Sequence, residues 1–222
     1  MWPPRTLAIT DRRRLAAPGV PDEDAAVVAY VAAMAAAGVD AVQVRERDWS
    51  DARLLRVSRA ARDVVAGSAC RVFVNERAHV AVAAGVHGVH LRGDAMPSVR
   101  VRQVWPSGLL IGRSMHVGDA GDDATGSDMV MFGTVFPSVS KAPDAPVAGV
   151  AALAAWVAQP AMPPVVAVGG IDVGRCEVVR RAGACGVAGI DLFIRAWRDG
   201  AKPLASLVAE IHAVFRDGER AQ

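Results

Sequence analysis

Two hydroxyls and an ammonium stand close together at Ser138, Ser140 and Lys141, just after the apolar run Met129–Phe132 and the breakers Gly133 and Pro137. Such a run reads as a strand buried on both faces. A loop at its C-terminal end with two O–H donors and one positive charge has the parts to hold a phosphate. On its own the same loop is better read as a polar surface turn with a chance lysine. A second feature of the same kind tips the balance. Gly169–Gly170 lies between the apolar run Val165–Val168 and the helix-like stretch Val173–Arg181, so its backbone N–H groups are left bare at a helix N-terminus. The competing reading is a tight turn that needs glycine for a positive φ. A last run, Gly186–Ile190, ends beside this turn and places Ile190 and Asp191 there; the carboxylate of Asp191 repels an anion unless it points away.

Other polar residues also follow apolar runs. Gln43, Arg45 and Arg47 alternate out of Val39–Val44. Arg45 has two open readings: a guanidinium gripping an anion through two bonds, or a structural ion pair with Glu46 or Glu76. Asn75 and Glu76 follow Arg71–Val74 and suit a magnesium-bound group, although one carboxylate does not make a metal site. Asp94 follows Gly88–Leu91, inside which His90 reads as a packing residue with a satisfied ring. Ser114 and His116 follow Leu109–Gly112, and an imidazole there suits acid/base work.

These residues form one site only if the elements bring them together. Thr6–Thr10 is a further strand, acids at Asp22–Asp24 open a helix ended by Gly38, and Ser50 reads as an N-cap before Leu54, Val57, Ala61 and Val64 at helical spacing. Ala78–Ala84 and Val147–Val157 are helices, another starts near Pro97, and a short one runs to about Ala124. Leu204, Leu207, Val208, Ile211 and Phe215 make one face of a closing helix. Strand and helix alternate through residues 1–222 with no linker, and the strands are continuous apolar runs. The expected fold is a single (β/α)8 TIM barrel in one α/β domain, in which residues after each strand share a rim. An open doubly wound sheet is the rival, but the first turn lacks G-x-G-x-x-G.

Of the 222 residues 52% are apolar, which excludes a mainly disordered chain. A formal charge of +2 and 5% aromatics argue against nucleic acid and membrane surfaces as partners. Cys70, Cys176 and Cys185 show no C-x-x-C spacing and read as reduced packing residues. With no signal-like N-terminus and no apolar run of spanning length, a cytoplasmic location is expected.

In order along the chain stand I-T-D-R (Ile9–Arg12), V-Q-V-R-E-R (Val42–Arg47), V-N-E-R (Val74–Arg77) and G-V-H-L (Gly88–Leu91). I-G-R-S-M-H (Ile111–His116), F-G-T-V-F-P-S-V-S-K (Phe132–Lys141) and V-A-V-G-G-I (Val166–Ile171) follow. Over nearly the whole chain this set resembles thiamine phosphate synthase and its relative, the TenI-type thiazole tautomerase. The resemblance implies a TIM barrel that binds a thiazole phosphate. In the synthase a pyrimidine pyrophosphate ionises, with magnesium on the leaving group, and the thiazole nitrogen attacks the cation. In the tautomerase a carboxythiazole phosphate loses and regains a proton without metal. Carried over by motif position, Gln43, Arg45 and Asn75 hold pyrophosphate or substrate. Ser138, Ser140, Lys141, Gly169 and Gly170 hold phosphate or thiazole, and His116 stands beside the ring.

Three departures matter. R-E-R replaces R-E-K after the second strand, Asn75–Glu76 replaces N-D, and the next magnesium-bearing aspartate falls on Ala95. Only Glu76 and a shifted Asp94 remain as metal ligands. The first expectation is therefore tautomerisation of carboxythiazole phosphate, with His116 and Arg45 as catalytic residues and no cofactor. The alternative is the synthase reaction with magnesium, and a catalytically decayed phosphate-binding barrel is a third. In each case the partner is a small phosphate ester, and barrels of this family often self-associate.

Overall fold

A computed structural model describes residues 2–15, 22–105, 108–138 and 146–217. The strands are β1 (Thr6–Ile9), β2 (Ala41–Val44), β3 (Arg71–Asn75), β4 (Gly88–Leu91), β5 (Leu110–Met115), β6 (Met129–Gly133), β7 (Val165–Val168) and β8 (Gly186–Gly189). All neighbours pair in parallel, β8 also pairs with β1, and the eight strands close into a barrel in sequence order. The expected (β/α)8 fold is present.

The helices are α1 (Arg12–Leu15), α2 (Glu23–Ala36), α3 (Asp51–Val64), α4 (Ala78–Ala84), α5 (Ser98–Val104), α6 (Gly149–Val157), α7 (Val173–Arg181), α8 (Asp191–Asp199) and α9 (Ala201–Asp217), with a 3-10 turn at Gly121–Ala124. Helix starts follow local chemistry. Asp22 accepts from the Asp24 N–H, Ser50 from the Arg53 N–H at 3.3 Å, and Asp172 from the Arg175 N–H at 3.0 Å. Two helices differ from expectation. The arginines after β1 form the single turn α1, and Asp191, expected as a rim residue, opens α8. The fifth strand also runs to Met115, so Arg113 and Ser114 lie inside it rather than beyond it.

Two-residue alternation splits each strand. Outward side chains such as Val42, Val72, Val74, Val89, Ile111 and Phe132 pack under the helices. Inward ones, Leu7, Ile9, Ala41, Phe73, Met129, Met131, Val166 and Ala188, fill the barrel as a separate core. Trp2 stacks on Phe73, with ring centroids 5.6 Å apart, and extends this filling. At the same end Asp40 accepts from the Arg5 and Thr6 N–H groups at 3.0 and 2.9 Å and pairs with His212 of α9 at 3.0 Å. Burial alone would raise the Asp40 carboxyl, but the His212 and Thr6 bonds outweigh it and hold it below its ordinary value. The closing helix is thereby tied to the bottom of the barrel. Cys70, Cys176 and Cys185 are free thiols, as expected. No described helix is long and apolar enough to cross a membrane.

Candidate active site

With the interior filled below, alternation carries the next inward residues up to an open cavity of about 810 Å³ at the C-terminal strand ends. That volume falls in the usual range of small-molecule pockets. Its floor has two halves. Gln43, Asn75, His90 and Ser114, from β2 to β5, give a polar arc; Ile9, Met131, Val168 and Ala188, from β1 and β6 to β8, give an apolar one. Register keeps the arcs level, with Asn75 beside His90, Ser114 beside Met131 and Val168 beside Ala188.

The polar arc is partly satisfied. Gln43 Nε2 donates to Asn75 Oδ1 at 2.8 Å, Asn75 Nδ2 donates to Glu76 Oε2 at 3.1 Å, and His90 Nε2 lies 2.8 Å from Ser114 Oγ. Gln43 Oε1 and His90 Nδ1 are buried with no partner among the described residues. A buried polar atom without a partner is costly, so each has a hydrogen bond still to make. This corrects the expectation of a satisfied, purely packing His90: its ring is half satisfied and lines the cavity. A Cβ at Gly112 would stand 2.7 Å from His90 Nδ1, so only glycine leaves the ring its room.

Burial first, then the charges of Arg45 and Arg113, push the His90 pKa down to about 3 from 6.5. Below pH 6.5 the unfolded chain takes up a proton that the folded one refuses. His90 should therefore remove stability as pH falls from 6.5 toward 3, by up to about 1.4 kcal/mol per unit. Urea titrations across that range should show a shallower acid loss for His90→Asn. Identical slopes in both proteins would mean that His90 protonates freely in the fold.

Arg45, Arg47, Arg92, Arg175 and Arg195 surround the floor. Neither structural pairing open to Arg45 occurs. Glu46 is instead held by Thr10 Oγ at 2.7 Å and by Arg12, while Glu76 pairs with Arg92 at 3.3 Å. Arg45 has no ion pair among the described residues. Burial first, then repulsion from Arg47, lower its pKa. It is a half-buried cation with open donors.

Across the cavity, Gly169 and Gly170 adopt φ of 99° and 61°. The Gly170 carbonyl accepts from Arg175 Nη1, and that guanidinium lies 4.7 Å from the centre of the Phe136 ring. Ser138 and Ile190 line the same side. Ser140 and Lys141 lie outside the described residues. Asp191 lines the cavity, but Arg14 neutralises it, and Arg14 Nε is also 3.1 Å from Asp11. His116 sits at the rim with Nδ1 3.4 Å from Asp119 Oδ2.

The magnesium that the resemblance implies for a synthase does not match the residues present. Neither Glu76 nor Asp94 lines the cavity, and both are bound to Arg92, at 3.3 and 2.6 Å. Ala95 offers no side-chain oxygen and its carbonyl accepts from Arg113, and no group of three metal-binding side chains occurs among the described residues.

Arg92, Arg175 and Arg195 were not anticipated as site residues. Arg195 stands on the unanticipated α8, and Arg175 reaches the cavity from α7, where strand alternation says nothing; Arg92, two residues after His90 as Arg45 is after Gln43, follows the alternation and was passed over.

A closed parallel barrel with its cavity at the C-terminal strand ends, charged on one arc and glycine-turned on another, is the framework of a (β/α)8-barrel enzyme. A family model described as thiamine monophosphate synthase matches residues 9–193, and the chain belongs to that family, which also takes in the TenI proteins. It is 36% identical to the thiamine-phosphate synthase of Anaeromyxobacter dehalogenans over 88% of this chain and 86% of that one. It is 36% identical to the thiamine-phosphate synthase of Methanoculleus marisnigri, over 72% and 76%. The solved thiamine phosphate pyrophosphorylase of Pyrococcus furiosus superposes with a TM-score of 0.76 at 26% identity, covering 96% of each chain.

Proposed function

We propose that this protein is a synthase that joins a pyrimidine pyrophosphate to a thiazole phosphate and releases pyrophosphate. One observation carries the reading: the cavity has guanidinium groups on one arc and a hydroxyl with a glycine turn on the opposing one, each suited to an anion. Arg45, Arg47 and Arg92 follow β2 and β4, whereas Ser138 and the Gly169–Gly170 turn follow β6 and β7. A coupling enzyme must hold two phosphorylated substrates at once, and a tautomerase only one. The unpartnered Gln43 Oε1 and His90 Nδ1 offer the floor's polar arc to a ring with an amino group and ring nitrogens, and the apolar arc faces its partner.

In this reading the bond between the pyrimidine methylene carbon and the pyrophosphate oxygen breaks, and its electron pair leaves with the pyrophosphate. The growing negative charge meets the guanidinium groups on their arc, of which Arg92 is held by two carboxylates and Arg45 is half-buried. The thiazole nitrogen then forms the new C–N bond with its lone pair. The names of the relatives favour coupling over the tautomerisation first expected from the sequence.

The deciding assay supplies both phosphorylated substrates, with and without magnesium, and follows thiamine phosphate and pyrophosphate together. Equimolar appearance of the two supports the proposal. Aromatisation of carboxythiazole phosphate alone, with no coupled product, replaces it with the tautomerase.

A further inference from the structure

Arg92 stands where a divalent cation would be sought. Its Nε is 3.3 Å from Glu76 Oε1 and its Nη2 is 2.6 Å from Asp94 Oδ2, so one guanidinium spans both carboxylates expected of a metal site. Unlike those carboxylates, Arg92 itself lines the cavity. We propose that Arg92 is the fixed cation of this cavity toward the pyrophosphate group, in place of the metal that the family resemblance implies.

Three further observations support the assignment. The loop that carries Asp94 is not free to turn inward. Arg113, 3% exposed, donates to the carbonyls of Gly93, Ala95 and Met96 at 2.7, 3.2 and 3.1 Å. Glu76 is fixed as well: its backbone takes φ of 64°, unusual for a residue with a side chain, and its carboxylate accepts from Asn75. Finally, Arg92 has N–H groups to spare. A guanidinium carries five donors, and the two carboxylate contacts leave others to face an anion.

The charge balance follows. Arg45, Arg47 and Arg92 outnumber Glu76 and Asp94 on this arc, and Asp94 is largely in solvent, where its field is screened. A magnesium ion brought to the same carboxylates would have to displace the guanidinium or sit against its positive charge. Removing Arg92 leaves two uncompensated carboxylates near the anion's place.

This inference rests on the coupling reading for its ligand, and the experiment separates the two. Inorganic pyrophosphate is titrated calorimetrically into the full chain in EDTA and again in millimolar magnesium. Wild-type protein should bind in EDTA, and magnesium, which also chelates free pyrophosphate, should not tighten binding. Arg92→Gly should bind about tenfold or more weakly in EDTA, the loss of one charge-assisted contact. The wild-type titrations need no variant, so a poorly folding Arg92→Gly does not protect the idea.

Wild-type binding that requires magnesium overturns the role of Arg92 and leaves the coupling reading standing. Unchanged binding by Arg92→Gly in EDTA overturns it as well. Failure of pyrophosphate to bind under either condition removes both proposals.

Discussion

Replacing Arg45 by methionine is expected to lower kcat/KM about a hundredfold or more, and to leave the protein at least as stable as before. The two halves of that result come from one fact. Arg45 is half-buried, lines the cavity and has no ion pair among the described residues, and burial and Arg47 both disfavour its charge. A cation held this way costs folding free energy, so a methionine of similar reach relieves the cost and keeps the packing. Toward a pyrophosphate the same cation is worth two charge-assisted hydrogen bonds. At about 1.5 kcal/mol or more each, these amount to roughly 3 kcal/mol, or about a hundredfold in rate or affinity. Thermal unfolding and steady-state kinetics on one preparation check both halves. Had Arg45 served the fold, melting temperature and activity would drop together. A stable variant with full activity would place the anion elsewhere.

That residue was legible in the sequence because alternation does most of the positioning in a barrel. The strand is apolar at Ala41, Val42 and Val44, so the polar residues at Gln43 and Arg45 stand out on the inward side. Asn75 and Ser114 follow the same rule on β3 and β5. The rule also covers His90, in register with Asn75; what misled was its place inside a strand, where a ring is usually satisfied. The end of β5 was misjudged for a different reason. Arg113 is charged, so it read as rim, yet it is buried and spends its donors on three loop carbonyls. Nothing in a single sequence shows where carbonyls need a donor. α1 is one turn of four residues, too short for any period to appear, whereas α8 does carry helical spacing in Phe193, Ile194 and Trp197 and was passed over because Asp191 read as part of the rim. Arg92 stands after β4 as Arg45 does after β2 and was open to the same rule, whereas Arg175 arrives from a helix, where no strand pattern reaches.

Gly170→Ala is expected to damage both fold and activity, and Gly67→Ala shows why the two effects belong together. Both glycines have positive φ, at 61° and 81°, so each alanine carries the left-handed backbone penalty of about 1 kcal/mol. They differ in their surroundings. A Cβ at Gly67 meets nothing within 4 Å, while at Gly170 it would stand 2.3 Å from the Pro137 carbonyl oxygen and 2.8 Å from that of Phe136. Those atoms are backbone, with no side-chain end to swing aside, so either the 136–137 segment or the turn itself must move by about 1 Å. In a packed region such overpacking adds roughly 1–3 kcal/mol. A displacement of that size at the group that holds one substrate costs about a hundredfold in turnover. Gly67→Ala should lose about 1 kcal/mol in urea unfolding and keep full activity. Gly170→Ala should lose several-fold more stability, and activity with it. Because the control carries the same backbone strain, equal stability losses in the two variants would show that the close approach of residues 136–137 to the glycine turn does not constrain the site.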